Sequence, residues 1–167
     1  YKNSNVSSVN INVLCKHCQH YAIAMKTYHH GNLKKELIKC ACVMCERDGY
    51  TKLSIRSLAK ESKVSQTAPY RHFKTKEDLY AAIVKEGFDK LNKKMMSIKI
   101  KDSKNYLIGC GKTYIDFGLN NANTYDLMFG TAVGNYADYP DLSESANNLF
   151  QFLLSSFRKL SDDDDEI

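Results

Sequence analysis

Apolar positions recur with a helical period through most of the chain. From residue 33 they return every three or four positions, which places them on one face of a helix over residues 32–48. Asn32 stands where an N-cap is favoured, and Gly49 stands where a helix terminator is favoured. The apolar face of this first predicted helix consists of Leu33, Leu37, Ile38, Ala41, Met44 and Cys45.

Two shorter helices are predicted next, separated by a tight turn at residues 62–64. Ser54 caps the first, over residues 55–61, and Ser65 caps the second, over residues 66–72. Two short helices joined by a turn of three or four residues are the core of a helix-turn-helix. The angle between them is packed by Ile55, Leu58, Ala59, Val64, Ala68 and Phe73.

Two residues test this assignment. Pro69 falls in the first turn of the third helix, where its missing N–H removes little, so we expect no kink. Lys63 lies in the turn, and if that position needs a positive φ, lysine costs about 1 kcal/mol there.

A fourth, longer helix is predicted over residues 75–98, opened by a capping box in residues 75–78. Its N-terminus offers backbone N–H groups suited to a DNA phosphate. Further helices are predicted at residues 103–121, 124–130 and 141–160. The fold class is therefore all-α, with a three-helix head joined by the long fourth helix to a second helical domain.

Charge is distributed unevenly along a chain whose net charge is +5. Residues 29–76 hold eleven Lys and Arg against four Asp and Glu, whereas residues 105–167 hold three against ten. A basic head on an acidic body favours polyanion binding by the head, although two solvated surfaces of opposite sign are an equal alternative. No run of eighteen apolar residues occurs, so no membrane span is predicted.

The first residues are expected to be a lead-in, over residues 1–27. Met25 is a sensible start for the helical part, and residues 1–24 show no clear period, which suggests an extension or tag. Cys15 and Cys18 with nearby histidines could bind zinc, but four ligands are required, and we predict neither a metal nor a cofactor. The other thiols fit buried side chains in a reducing cytoplasm: Cys40, Cys42, Cys45 and Cys110.

The segment LSIRSLAKESKVSQTAPYRHFKTKEDLYAAI, residues 53–83, resembles the DNA-binding head of TetR-family regulators. Its most specific part is Ala68-x-Tyr70-x-His72-Phe73-x-x-Lys76. The lead-in YHHGNLKKEL at residues 28–37 is similar to one branch of that family. YIDFGLNNANTYDLMFG, residues 114–130, looks like its WHG-type ligand domain. The resemblance implies a DNA-binding domain over residues 28–92 and an effector-binding and dimerisation domain over residues 93–167.

The resemblance also implies roles in DNA binding. Gln66, Thr67 and Arg71 would reach base edges, while Tyr70 and His72 would contact phosphates. The full predicted set is Ser54, Arg56, Ser65, Gln66, Thr67, Tyr70, Arg71, His72, Lys74 and Lys76. The alternatives are a packed ring for Tyr70 and plain solvated cations for Arg56 and Lys74.

In the second half the resemblance implies an effector pocket, and its aromatic lining favours a hydrophobic or aromatic small molecule. The predicted lining is Tyr106, Cys110, Tyr114, Phe117, Tyr125, Met128, Phe129 and Phe150. Ordinary core packing is the alternative for these residues, and helix capping is the alternative for Asn121 and Asn123. The acidic run at residues 162–166 is expected to be a loop before two missing dimerisation helices, whose absence would expose apolar side chains of the last helix.

The leading hypothesis is a cytoplasmic, nucleoid-associated repressor that binds a near-palindromic double-stranded operator as a homodimer and is released by a small effector. The alternative is a truncated small-molecule binding protein that dimerises poorly and binds little specific DNA. An enzyme is disfavoured, because Gly109-Cys110-Gly111-Lys112 lacks the upstream glycine of a phosphate loop and lies in a helical pattern.

Overall fold

The structure, a computed structural model, describes the backbone of residues 32–164 and the side chains of residues 32–158. Within that part of the chain every regular element is a helix, as predicted. The α-helices are α1 (Leu33–Asp48), α2 (Ile55–Glu61), α3 (Lys76–Met96), α4 (Ser103–Asn120), α5 (Ala122–Phe129) and α6 (Pro140–Asp164). Short 3-10 helices span Tyr50–Lys52, Pro69–Arg71 and Tyr136–Asp138. The predicted lead-in and its Cys15–Cys18 pair lie outside the described residues.

Helix α1 ends where the sequence predicts. Gly49 adopts a φ of 82°, a conformation that favours glycine, and its N–H donates to the Cys45 carbonyl at 2.9 Å. Asn32 precedes the first helical residue, but its side chain makes no capping hydrogen bond. The inner face of α1 is fully buried at Leu37 and Ala41, so apolar burial rather than a local cap stabilises its start.

Helix α3 is the central element, with α1, α4, α5 and α6 packed against it. Its 21 residues span about 31 Å. At Gly87 the neighbouring helix α5 comes so close that an added Cβ would lie 2.5 Å from the sulfur of Met128. A larger residue at this position would therefore force the side chains of Met128 and Thr124 to shift.

A short corner joins α4 to α5. Asn121, at this corner, donates from its amide nitrogen to the Phe117 carbonyl at 2.8 Å. Its amide oxygen accepts a hydrogen bond from Lys90 Nζ on α3 at 2.6 Å. The side chain thus caps the last turn of α4 and binds the corner to the central helix, whereas it makes no capping bond to α5.

Helix α6 packs on α3 through polar as well as apolar contacts. The amide of Asn92 donates to the Ser145 carbonyl at 2.8 Å, and the Ser145 hydroxyl donates to Asp89 at 2.6 Å. Phe150 and Phe157 on the outer face of α6 are exposed. Leu153 and Leu154 are half-buried instead.

The predicted loop at the acidic run is wrong for residues 162–164, because the backbone remains helical through Asp164. Extending an existing helix by one residue adds a hydrogen bond without a new nucleus, whereas like charges on a solvated helix cost only a few tenths of a kcal/mol per pair. Residues 165–167 lie outside the described part.

The thiols of α1 and α4 are free, and three of the four, Cys40, Cys45 and Cys110, are buried. Burial raises the pKa of Cys45 to about 12, which makes it a poor nucleophile at neutral pH. No cluster of His, Cys, Asp or Glu side chains suited to a metal ion occurs among residues 32–158. No described helix is both long and apolar enough to cross a membrane.

Candidate nucleic-acid interface

Helix α2 begins with a complete capping box. The Ser54 hydroxyl accepts the N–H of Ser57 at 3.0 Å, and the Ser57 hydroxyl accepts the N–H of Ser54 at 2.9 Å. Ser54 is half-buried and its hydroxyl is engaged in this cap, so of the two predicted DNA-contacting residues here only Arg56 carries an exposed side chain.

The turn after α2 is closed by backbone hydrogen bonds. The N–H of Val64 donates to the Ala59 carbonyl at 3.1 Å, around a Lys63 whose φ is 54°. The positive φ expected at Lys63 is therefore confirmed, and it is the one non-glycine residue of the described chain in that conformation. The turn holds a strain of about 1 kcal/mol relative to glycine.

Residues 65–72, which we call the recognition segment, do not form the predicted α-helix. Hydrogen bonds in it join residues three apart: Ala68 N–H to the Ser65 carbonyl at 3.0 Å, and Arg71 N–H to the Ala68 carbonyl at 3.3 Å. A regular 3-10 helix covers only Pro69–Arg71. Pro69 has no N–H to donate to Ser65, so the preceding N–H takes that carbonyl and the turn tightens. The predicted α-helix over residues 66–72 is thus wrong, and the expectation that Pro69 causes no kink has no regular helix here to which it applies.

The recognition segment is nevertheless held at the surface by a buried frame. Pro69 is buried and Phe73 is 1% exposed, within the same core as Leu58. Between these anchors the polar side chains are exposed, and Tyr70 is 44% exposed, which leaves part of its side chain accessible to a partner. The exposed residues of the segment are Ser65, Gln66, Thr67, Tyr70, Arg71 and His72.

The N-terminus of α3 follows at once, with the predicted capping box. The Thr75 hydroxyl accepts the N–H of Asp78 at 3.1 Å, while the Asp78 carboxylate accepts the N–H groups of Lys74 at 2.8 Å and Thr75 at 2.9 Å. These two N–H groups are therefore already hydrogen-bonded within the protein. At this helix end a phosphate could bind only to nearby side chains and to the backbone N–H groups that follow Thr75.

Lys76 lies beside this cap and is exposed. Its ammonium donates to the Thr51 carbonyl at 3.1 Å and stands 5.2 Å from the centre of the Tyr80 ring. The contacts fix the direction of the side chain, and an ammonium with three hydrogens retains donors for a further acceptor.

The surface around the recognition segment is basic. Sequence reasoning did not predict Lys52, Lys60 or Lys63 as DNA-contacting residues, and their only signal for that role was the basic block as a whole. The exposed cations here are Lys52, Arg56, Lys60, Lys63, Arg71, Lys74 and Lys76. Arg47 differs from them, because Asp48 at 2.7 Å and Glu61 at 2.8 Å bind its guanidinium and raise its pKa.

The predicted effector-pocket residues separate into four environments. The rings of Tyr114, Tyr125 and Phe129 pack together, with the tyrosine hydroxyls 2.9 Å apart and the Tyr125 and Phe129 ring centres 4.7 Å apart. Burial and the Tyr125 hydroxyl raise the pKa of Tyr114 to about 12. Tyr106 packs against Phe152 instead.

The remaining predicted pocket residues are core or surface. Cys110, Phe117 and Met128 are at most 2% exposed, whereas Phe150 is 57% exposed. A groove of about 420 Å³ between α3 and α6 is lined by none of the predicted pocket residues; its lining is Asp89, Asn92, Lys93, Met96, Ser97 and Asn148.

Residues 37–83 match the family model of bacterial regulatory proteins of the tetR family. No curated protein matches the chain. Among solved structures, a protein of unknown function from Rhodococcus sp. RHA1 has a TM-score of 0.69 at 25% identity, covering 81% of this chain and 71% of that one. A TetR-family transcriptional regulator from Bordetella parapertussis 12822 has a TM-score of 0.58 at 18% identity, covering 80% and 71%.

A TetR protein from Acinetobacter baumannii AYE, solved in complex with minocycline, has a TM-score of 0.50 at 19% identity, covering 80% of this chain and 84% of that one. The all-α fold with an N-terminal helix-turn-helix is thus the fold of TetR-family proteins.

Proposed function

Because residues 37–83 carry the N-terminal domain of the TetR family within an all-α TetR fold, we propose that the chain is a sequence-specific DNA-binding transcription regulator. The observation that carries the proposal is the exposed polar row of the recognition segment, held on the buried anchors Pro69 and Phe73. A rigid row of hydrogen-bonding side chains on a basic surface is suited to the major groove.

Three exposed side chains of the recognition segment are the base-reading candidates. Gln66 and Thr67 in its first turn can contact base edges when the segment lies in the groove, and Arg71 near its end can reach guanine acceptors. Ser65, whose hydroxyl lies 3.4 Å from that of Thr67, stands at the edge of this surface.

Phosphate contacts fall to the surrounding side chains. Tyr70 and His72 flank the base-reading residues, Lys74 and Lys76 extend from the start of α3, and Arg56 extends from α2. Such contacts set the register of the protein on DNA without carrying sequence information. Ser54 supports the surface by capping the start of α2, because its hydroxyl is engaged in that cap.

Regulation of DNA binding would depend on a dimer with two DNA-binding heads. A homodimer would place two recognition segments in successive major grooves, about 34 Å apart, on a near-palindromic operator. A hydrophobic or aromatic effector bound near the Tyr114, Tyr125 and Phe129 rings would change the spacing of the heads and release the DNA, as expected of a repressor. The minocycline bound by the similar Acinetobacter structure supports an aromatic ligand class.

The test is selection of bound duplexes from a random DNA pool with the 167-residue chain, followed by affinity measurements on the selected sequence. We expect a two-fold symmetric consensus. Recovery of no consensus would contradict the proposal and favour a small-molecule binding protein with little specific DNA binding.

Single substitutions separate the two kinds of contact. Gln66→Ala should change the base preference at one position per half-site, by about 1–3 kcal/mol of discrimination. Lys76→Ala should weaken binding to all duplexes and lower the slope of log affinity against log salt by about one unit for each lost phosphate contact. Lys34→Ala, which removes an exposed lysine from the start of α1, is the matched control. An unchanged salt slope in Lys76→Ala would contradict its phosphate role.

A further inference from the structure

Two helix ends meet where the head, residues 32–75, contacts the body, residues 97–158. They are the C-terminal turn of α1 and the N-terminal turn of α5. A helix N-terminus leaves N–H donors without a partner in its own helix, and a C-terminus leaves carbonyl acceptors. Here the Glu46 side chain of α1 binds the backbone N–H of Thr124 in α5, and the Asn123 side chain of α5 binds the backbone carbonyl of Glu46. We call this pair of contacts the reciprocal cap.

The first half of the reciprocal cap comes from the head. A carboxylate oxygen of Glu46 accepts the N–H of Thr124, the third residue of α5, at 2.8 Å. A capping side chain usually makes this bond from within its own chain segment. Because Thr124 is only 7% exposed, water cannot readily replace the carboxylate. The negative charge also complements the positive end of the α5 dipole.

The local residue that could have made this cap is engaged elsewhere. Asn121 stands at the N-cap position of α5, but its side chain is bound to Phe117 and Lys90. Helix α5 therefore depends on a residue 78 positions earlier in the chain to satisfy its Thr124 N–H.

The second half of the reciprocal cap comes from the body. The amide nitrogen of Asn123 donates to the backbone carbonyl of Glu46 at 2.9 Å, within the last turn of α1. A second tether lies further along, where the Glu77 carboxylate at the start of α3 accepts the N–H of Gly134 at 2.9 Å. The carboxylates of Glu46 in the head and Glu77 in α3 thus hold two backbone amides of the body.

We propose that Glu46 is a positioning residue for DNA binding, which fixes the tilt of α1 and with it the head against the body. The proposal rests on the proposed function, because tilt matters only when two heads of one dimer must match two half-sites. Helix α1 packs against α2, so a shift at its C-terminus moves the frame that carries the recognition segment. The reciprocal cap would therefore set the half-site spacing that the dimer accepts.

The test compares half-site spacing with half-site affinity. The probes are the duplex selected from the random pool, the same duplex with one base pair inserted or removed at its centre, and a single half-site. We expect the native chain to prefer its own spacing and Glu46→Ala to reduce that preference at least about fivefold, with half-site affinity little changed. Glu46→Gln, which keeps the acceptor oxygen, should restore most of the preference.

A readout without DNA tests the cap itself. Hydrogen exchange of the Thr124 amide should be at least about tenfold faster in Glu46→Ala than in the native chain, and close to native in Glu46→Gln. Asn123→Ala should reduce the spacing preference in the same direction. Glu36→Ala is the matched control, because Glu36 is a head carboxylate paired with Lys39 near the opposite end of α1 and should leave both readouts unchanged.

The outcomes separate the two proposals. A native chain that selects no two-fold consensus overturns the proposed function and the positioning role with it. A native chain with a clear spacing preference that Glu46→Ala retains overturns the positioning role alone. Unchanged exchange at Thr124 in Glu46→Ala overturns the cap, whatever the DNA result.

Discussion

The head and the body present opposite kinds of surface. In the head, the apolar side chains of the recognition segment and its neighbours are buried, and polar side chains form the exposed row. In the body, large apolar side chains are themselves more than half exposed: Ile108, Ile115, Leu119, Phe150 and Phe157. The head therefore has a polar surface suited to water and polyanions. The outer faces of α4 and α6 instead carry exposed apolar side chains, as is typical of surfaces that pack against another apolar surface.

The two regions also differ in how their helices begin. In the head, α2 and α3 each start with a capping box formed by residues three apart. In the body, α5 has no side-chain cap from its own N-cap residue and receives one from Glu46 of the head. The starts of α2 and α3 therefore depend on local sequence, whereas the start of α5 depends on a contact between the body and the head.

The largest expected difference concerns one phenylalanine in each region. Phe73→Ala should lower the free energy of unfolding by about 3–5 kcal/mol, because it empties a fully buried site. Phe150→Ala removes the same ring from an exposed position and should change stability by no more than about 0.5 kcal/mol. Urea unfolding of both variants measures the contrast, and a large loss in Phe150→Ala would indicate that α6 is covered in solution.

Most of the head was predictable from sequence, because its helix boundaries are local. The bounds of α2 follow from Ser54 and the turn at Lys63, and the start of α3 follows from Thr75 and Asp78. The 3-10 geometry of the recognition segment was missed, because a segment this short does not distinguish a period of 3.0 residues from one of 3.6.

The body was less predictable because its decisive contacts are distant in sequence. Asparagine is a residue type favoured at local helix caps. Asn121 nevertheless binds Lys90 of α3, and Asn123 binds the Glu46 carbonyl of α1. Neither partner is indicated by helical periodicity, which reports only the face of a single helix. The predicted pocket residues were chosen for their aromatic character, which does not distinguish core from cavity.

Alkaline pH should weaken both regions through buried acids. Burial raises the pKa of Cys45 in the head to about 12, and burial with Tyr125 raises that of Tyr114 in the body to about 12. Their ordinary values are 9.0 and 10.0, so the unfolded chain loses these protons first. Stability contributed by the protonated groups is complete below pH 9 and is lost as pH rises toward 12.

Urea midpoints measured from pH 8 to about pH 11 check this direction. Cys45→Ala should make the decline with pH shallower from pH 9 upward, and Tyr114→Phe should do so from pH 10 upward. Midpoints that rise with pH in the native chain would contradict the assignment.

A smaller effect is expected at the cap of α3. Thr75→Ala removes the hydroxyl that accepts the Asp78 N–H and should lower the free energy of unfolding by about 1 kcal/mol. Thr75→Ser keeps an acceptor and is the control. Because this cap is local to the head, exchange of the Thr124 amide in the body should not change with either substitution. Faster exchange at Thr124 in Thr75→Ala would show that the two regions are more strongly coupled than the separate caps imply.

The smallest expected effect is a change in the free energy of unfolding that has opposite signs for glycine substitutions at two lysines of the head. Lys63→Gly removes a side chain from a position with φ of 54° and should raise the free energy of unfolding by up to about 1 kcal/mol. Lys60→Gly makes the same exchange in the last turn of α2, where glycine weakens the helix by about 1 kcal/mol. Both lysines are exposed and each substitution removes one positive charge, so charge cancels from the comparison. Urea unfolding of the pair therefore isolates the backbone strain of the turn, and two losses of equal size would mean that Lys63 carries none.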